Sequence, residues 1–435
     1  MEVRTRFAPS PTGFLHLGGA RSAIFNYLFT KKNSGKFILR IEDTDIERSK
    51  KECEEDIIKS LKWLGIEWDE FYRQSERKEI YKSYLNMLLE NGNAYISKEG
   101  DGTQDKKDVI RFRNPGKKIK FQDLIRGEVE METEDLGNFV IAKDELSPLY
   151  HFAAVVDDAE MKITHVIRGE DHIPNTPRQI LIQEALGFER PHYAHLPLIL
   201  GSDRSKLSKR HGAKSTFTYA EEGYLPEAFF NFLALLGWHP ADDKEILSRE
   251  ELINIFELKR VQKGGAVCDF EKLNWFNREY IKKLSARELS ERVKVFMPAG
   301  FDQNRYDIEK VVNLARERMN KLSDIVTEMD FIFKLPAYDK ELLKWRGKED
   351  SNKVREVLEY ASGILNAVPP EEFSKNNIEK LVMPYADEKG RGEVLWPLRV
   401  SLSGKMSSPG PFDIIEVLRK EETLRRIREA IEKIQ

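Results

Sequence analysis

Residues 3–41 run strand, loop, helix, strand. The first strand is short, 3–7, and a loop follows, Ala8-Pro9-Ser10-Pro11-Thr12-Gly13. Ala20, Ala23, Ile24, Tyr27 and Leu28 then recur at i, i+3, i+4, i+7 and i+8, one face of a helix. Asn33-Ser34-Gly35 stops that helix, and the apolar run 37–41 reads as the next strand. A strand that returns through a helix to a second strand is the crossover of a parallel sheet, so the chain opens as α/β. Ile57, Leu61 and Leu64 mark a further helix ended at Gly65. Tyr81, Leu85, Leu88 and Leu89 mark another ended near Gly92.

Residues 96–108 are polar and glycine-containing and read as a loop or trimmed insertion. The span 109–142 reads as short strands with turns, and the α/β pattern resumes after Leu149. Residues 163–167 and 194–200 read as strands, and Thr176-Pro177 as a helix start with proline at its first position. From Tyr224 the periodicity is helical, with Ala228, Phe229, Phe232, Leu233 and Leu236 on one face. From about Leu284 to the end helical signals dominate, which suggests a separate all-α region.

At 435 residues the chain has room for roughly three domains. Its formal net charge is −3, so a cationic face for nucleic acid or membrane must be local. Hydrophobics at 40% supply several cores and exclude disorder. Two cysteines, Cys53 and Cys268, exclude a disulfide framework and suit a reducing compartment. No apolar stretch is long enough to span a bilayer, and the charged start does not resemble a signal peptide. A cytoplasmic protein is expected.

Two segments carry chemistry. The first, Arg6-Phe7-Ala8-Pro9-Ser10-Pro11-Thr12-Gly13-Phe14-Leu15-His16-Leu17-Gly18-Gly19-Ala20-Arg21, joins a strand to a helix N-terminus. Gly18 and Gly19 bare the backbone there, and free N–H groups with the helix dipole favour an anion. His16, one step ahead, can donate to a phosphate. A bare His-x-Gly is more often an ordinary loop; the whole string makes it specific. The second is Lys206-Leu207-Ser208-Lys209-Arg210, whose two lysines can reach a polyphosphate as mobile point charges. Alone it is a solvated basic loop. Lys405-Met406-Ser407-Ser408-Pro409 is superficially similar, lacks the second lysine, and reads as a loop with another role. There is no Gly-x-Ser-x-Gly elbow, P-loop lysine or metal-ligand cluster.

Together these segments resemble the signatures of class I aminoacyl-tRNA synthetases. Arg40-Ile41-Glu42-Asp43-Thr44-Asp45, Val155-Val156-Asp157-Asp158, Val166-Ile167-Arg168-Gly169-Glu170-Asp171-His172 and Gly223-Tyr224-Leu225-Pro226-Glu227-Ala228 narrow the likeness to the glutamyl-tRNA synthetase family. It is dense over 1–280 and persists through Trp396-Pro397-Leu398-Arg399 and Ser408-Pro409-Gly410.

The resemblance implies a Rossmann-like parallel-sheet catalytic domain from 1–85 and 148–205, and an inserted acceptor-stem-binding domain at 86–147. It further implies a stem-contact region at 206–305 and a helical anticodon-binding domain at 306–435. It implies ATP-dependent activation of L-glutamate to glutamyl-adenylate, then transfer to the terminal adenosine of tRNA(Glu), by a monomer. Charging of tRNA(Gln) stays open. Arg6, Ala8, Ser10, Glu42, Tyr150 and Arg168 are expected at glutamate, the arginines as forks for carboxylate and Glu42 as the ammonium's partner. Gly18, Gly19, Asp171, His172, Ile199, Ser208 and Lys209 are expected at ATP, with His16, Lys206 and Lys209 catalytic. Magnesium would arrive on the ATP.

Three departures stand out. The stretch 94–109, where many relatives hold zinc, has neither Cys nor His, so no zinc is expected. The insertion is short. Ala154 stands where some relatives carry Asn in the glutamate pocket. Trp396, Arg399 and the loop Ser407-Ser408-Pro409-Gly410 are candidates for anticodon contact. Arg419, Lys420, Arg425, Arg426 and Arg428 are candidates for phosphate contact or a solvated helix face.

Competing readings are a shortened paralogue that attaches glutamate to a modified tRNA base, a glutaminyl enzyme, a non-catalytic tRNA-binding protein and a small-molecule nucleotidyltransferase. The helical last third speaks against the first and last. Ser10 and Thr12 speak against the glutaminyl enzyme, and intact His16, Lys206 and Lys209 against the non-catalytic protein.

Overall fold

The crossover is present: β1 (Arg4–Phe7) leads through α1 (Leu17–Lys32) to β2 (Lys36–Ile41). Five of the six residues of β2 are buried, the pattern of a strand covered on both faces. Gly35 sits where the turn meets β1. A Cβ there would stand 2.0 Å from the carbonyl oxygen of Val3, so only glycine lets the two strands register.

The computed structural model describes residues 2–99, 107–208, 211–212, 214–298, 306–347 and 350–434. They form two compact units, residues 1–221 with 226–276, and residues 222–225 with 277–435. The first unit takes in 206–276, and the second continues from Asn277.

In the first unit α2 (Lys51–Trp63), β3 (Glu70–Arg73) and α3 (Lys78–Glu90) follow β2. Then come β4 (Ala94–Glu99), β5 (Lys107–Phe112), β6 (Lys118–Asp123), β7 (Gly127–Glu132) and β8 (Phe139–Ala142). The α/β pattern resumes with α4 (Tyr150–Glu160), β9 (His165–Gly169), α5 (Thr176–Leu186), β10 (His192–Leu196), β11 (Ile199–Leu200) and β12 (Ala266–Val267). Seven strands make one sheet in the order β3-β2-β1-β9-β10-β6-β7, parallel except for the hairpin β6–β7. The span 86–147, expected as an insertion, thus lends two strands, β6 and β7, to this sheet. β4, β5 and β8 form a separate antiparallel sheet.

Two readings change. The polar stretch 96–108, expected as a loop or trimmed insertion, is not all loop: it contains the end of β4 and the start of β5, paired with Ile96 opposite Ile110. Residues 100–106 lie outside the described residues. The strand expected over 194–200 is two strands. Pro197, with no N–H to give, parts β10 from β11, and β11 pairs with β12 instead.

The core of the first unit packs α3, α4 and α5 on the sheet through Leu85, Phe152, Val156, Ile180 and Ile182, all fully buried. Ala20, Ala23, Ile24 and Leu28 of α1 are equally buried, as their periodicity requires.

The second unit is helical, its longer helices being Ser351–Ala367, Lys375–Lys389, Arg391–Ser403 and Pro411–Ile434. The last breaks its backbone at Arg419, which stands at φ 61° and ψ 176°. Arg426 does not face solvent. It is 1% exposed, and it donates to the carbonyls of Phe331 (2.7 Å), Leu402 (2.6 Å) and Ile332 (3.1 Å) and to Glu422. It therefore leaves the set of phosphate candidates. Lys420 donates to the carbonyls of Asn366 and Val368, and Arg425 pairs with Glu422 and Glu429.

Candidate active site

In an open parallel sheet, ligands bind at the carboxyl ends of the strands. Arg6 lies in β1, Glu42 just past β2 and Arg168 in β9. A charge in a wholly buried strand needs a partner, and Arg40 of β2 has several. Its Nη2 donates to Glu42 Oε1 at 2.9 Å and its Nη1 to Asp158 Oδ1 at 2.7 Å. Arg6 Nε donates to that same Oδ1 at 3.1 Å. Asp158, from α4, thus joins the two arginines. Neighbouring Asp157 accepts from Arg77, Gln74 and Tyr81.

Burial raises the Glu42 carboxyl against the pull of Arg40 and Arg6. Burial pulls Asp158 the same way, but Arg6 and Arg40 together hold it below the usual carboxylate range. Arg40 and Asp158 were visible in the sequence only as members of strings. The signal was the arginine inside an apolar run. The main chain joins in, for Glu42 N–H donates to the carbonyl of Pro9 at 3.0 Å. That bond ties the end of β2 to the loop holding Ala8, half-buried, and Ser10, exposed.

Arg168 Nε donates to His195 Nε2 at 3.2 Å, and Nη2 donates to Thr176 Oγ1 and Gln179 Oε1, both at 2.8 Å. Its Nη1 is buried with no hydrogen-bond partner among the described residues. A buried donor left so is costly unless something else fills the place. Tyr150 opens α4, and its hydroxyl lies 3.1 Å from His172 Nδ1. Burial, with the charge of Arg168, takes His172 down to about 4. Burial raises the Tyr150 phenol, which also feels Arg168, Glu42 and Arg6. One tyrosine is therefore within electrostatic reach of all three charged residues expected at glutamate. Ala154 is buried within α4.

His16 caps α1, its Nδ1 accepting from Gly19 N–H at 3.2 Å. The space left by Gly18 and Gly19 is not empty. A Cβ on Gly18 would meet the His16 ring at 3.1 Å, and one on Gly19 would meet Leu15 at 2.8 Å. These glycines seat His16 and Leu15 as well as baring the backbone. Desolvation, then Lys206, lowers the His16 pKa. Lys206 Nζ stands 3.8 Å from Asp171 Oδ2, so His16, Lys206 and Asp171 share one end of the site.

The lysine loop hangs from β11, with Leu207 N–H donating to the carbonyl of Ile199 at 2.8 Å. His211 pins the loop. Its Nδ1 is 3.1 Å from Ser208 Oγ, and a Cβ on Gly201 would stand only 2.8 Å from its ring. Lys209 lies outside the described residues. His195, Asp123, Thr176 and Gln179 were not found from sequence. His195 and Asp123 are 72 positions apart, and the sheet brings them together.

Among the described residues no group of three or more His, Cys, Asp or Glu could hold a metal ion. No helix among them is long and apolar enough to cross a membrane. In the second unit Trp396 Nε1 donates to the carbonyl of Leu342, and Arg399 donates to Ser408 and to the carbonyls of Lys405 and Met406. Arg399 thus shapes the loop it was expected to accompany.

The family model for the catalytic domain of class I tRNA synthetases (E and Q) matches residues 2–102 and 97–275, and an anticodon binding domain model matches 271–431. The chain is 46% identical to the glutamate--tRNA ligase of Aquifex aeolicus, over 100% of this chain and 99% of the relative. It is 42% identical to that of a Sulfurihydrogenibium species, over 99% of each. The crystal structure of a glutamate tRNA ligase from Elizabethkingia meningosepticum, in complex with its amino acid, superposes with a TM-score of 0.91. It is 34% identical and covers 100% of both chains. The chain belongs to the glutamate--tRNA ligase family of class I tRNA synthetases.

Proposed function

We propose that this enzyme activates L-glutamate with ATP and transfers the glutamyl group to the terminal adenosine of tRNA(Glu). An oxygen of the glutamate α-carboxylate attacks the α-phosphorus. The bond to the bridging oxygen breaks, and pyrophosphate leaves. A ribose hydroxyl of the tRNA then attacks the acyl carbon, AMP departs, and the hydroxyl proton is released. No protein nucleophile is needed, so the residues act by position and charge.

Arg168 and Arg6 meet the side-chain carboxylate and Glu42 the ammonium, with Tyr150, Ser10 and Ala8 around them. The observation that carries this reading is the buried Nη1 of Arg168, which has no hydrogen-bond partner among the described residues, with Tyr150 within electrostatic reach of Arg168, Arg6 and Glu42. His16, Lys206 and Lys209 meet the charge that grows on the phosphates. Gly18, Gly19, Asp171, His172, Ile199 and Ser208 line the nucleotide. Mg2+ is bound by the triphosphate, and the chain uses no zinc.

Residues 1–85 and 148–205 form the catalytic domain, 86–147 receive the acceptor end, 206–305 touch the stem and 306–435 read the anticodon. The enzyme works as a cytoplasmic monomer. Charging assays with purified tRNA(Glu) and tRNA(Gln) and labelled glutamate test the reading. Glutamylation of tRNA(Glu) is expected, and the same assay reads tRNA(Gln). Failure of glutamate-dependent pyrophosphate exchange with tRNA present would overturn it in favour of a non-catalytic tRNA-binding protein. Metal analysis of purified protein tests zinc separately.

A further inference from the structure

We propose that Asp123 and His195 are a positioning pair that fixes the guanidinium of Arg168 for the glutamate carboxylate. This rests on the reading that Arg168 binds that group. His195 lies in β10 directly across from Arg168 in β9. It is fully buried, and Asp123, at the end of β6, is 1% exposed.

The geometry dictates the tautomer. His195 Nδ1 is 2.7 Å from Asp123 Oδ2. Asp123 also accepts from the backbone N–H groups of Ile125 (2.9 Å), Arg126 (2.8 Å) and His195 itself (3.1 Å). A carboxylate so surrounded is ionised and can only accept, so the imidazole hydrogen must sit on Nδ1. Nε2 then carries a lone pair, and Arg168 Nε–H points at it. Burial keeps the imidazole neutral against the pull of Asp123. A second proton would set N–H against N–H.

Rotation of the guanidinium is thereby blocked. Its Nε edge is held by His195 and its Nη2 by Thr176 and Gln179, which leaves Nη1 as a buried donor with no partner among the described residues. The rings of Tyr193 and Phe121 stand 6.1 Å and 6.3 Å from that of His195 and confine it.

A buried imidazole with a merely structural role would not require this polarity. The carboxylate reaches His195 from the insertion, whose β6 pairs with β10 at a single position, Tyr193 opposite Asp123. The insertion thus supplies an atom on which the orientation of a substrate-binding arginine depends.

Three substitutions test this. Asp123→Asn keeps the shape but turns an N–H toward Nδ1, which drives the imidazole hydrogen to Nε2. His195→Asn keeps a donor near Asp123 and removes the acceptor for Arg168. His195→Gln restores an acceptor at the Nε2 position. In pyrophosphate exchange with tRNA present, Asp123→Asn and His195→Asn are each expected to raise the glutamate KM by roughly tenfold or more. The ATP KM, tRNA affinity and kcat at saturating glutamate should stay within about twofold, a difference too small to cost a hydrogen bond. His195→Gln should recover most of the loss.

Arg168→Ala is the control. If it leaves the glutamate KM unchanged, the reading of Arg168 itself falls. If it raises the KM while Asp123→Asn and His195→Asn do not, the positioning pair falls and that reading stands. If both variants raise the KM for ATP and glutamate alike while lowering the thermal midpoint, the pair is structural and the proposal is overturned.

Discussion

Arg40 and Glu42 stand two positions apart where β2 ends, and the guanidinium of the first donates twice to one oxygen of the second, at 2.9 Å and 3.3 Å. Arg40 is fully buried, and it also holds Asp158. Arg40→Ala would leave the buried Glu42 without its hydrogen-bonded cation and Asp158 with Arg6 alone. The expected cost is about 3–5 kcal/mol of folding stability, as for other broken buried pairs. Denaturant unfolding of the variant measures it, and a loss below about 1 kcal/mol would mean that the pair matters no more than a surface bridge.

Arg168→Ala is expected to raise the glutamate KM in tRNA-supported pyrophosphate exchange by roughly 10- to 150-fold, the worth of one charge-assisted hydrogen bond. Binding of ATP should hardly change. Unchanged glutamate kinetics would take Arg168 out of the pocket.

Lys206→Ala and Lys209→Ala should slow pyrophosphate exchange far more than they weaken glutamate binding. Lysines that meet growing charge stabilise the transition state more than the ground state. Paired measurements of exchange rate and glutamate affinity check this. Equal losses in both would make the lysines structural.

Burial takes His151, His165 and His172 down to about 4 from 6.5. The unfolded chain then binds protons that the folded chain refuses. Their contribution to stability is complete above pH 6.5 and is lost as pH falls toward 4. The thermal midpoint should drop across that window, and His165→Asn should make the drop shallower. His165 is the clearest of the three to remove, because its second cause is the neighbouring His192 rather than a pocket arginine. An unchanged slope in that variant would contradict the assignment.

The crossover 3–41 was legible because its periodicities are local: an apolar run for β2 and a one-face repeat for α1. Pro197 was readable too, yet the apolar residues on both sides masked the break between β10 and β11. The strands around 100–106 were hidden by polarity, since a hairpin with Ile96 61% exposed does not alternate toward a core. In the site, Arg6, Glu42, Arg168, His16 and Lys206 came from strings that carry their own context. Asp123 and His195 carry none. Their link is a matter of register between β6 and β10, fixed by the sheet and by no local spacing. Arg426 failed for a related reason: charge along a helix does not tell which face is covered.

His16 gives Nδ1 to the amide of Gly19. Its single hydrogen must then sit on Nε2, and burial, then Lys206, discourages a second proton, so in the role proposed above the imidazole would meet a phosphate as an uncharged donor. The first turn of α1 therefore chooses the protonation form of the residue ahead of it. A change that unwound that turn could silence the histidine without altering it.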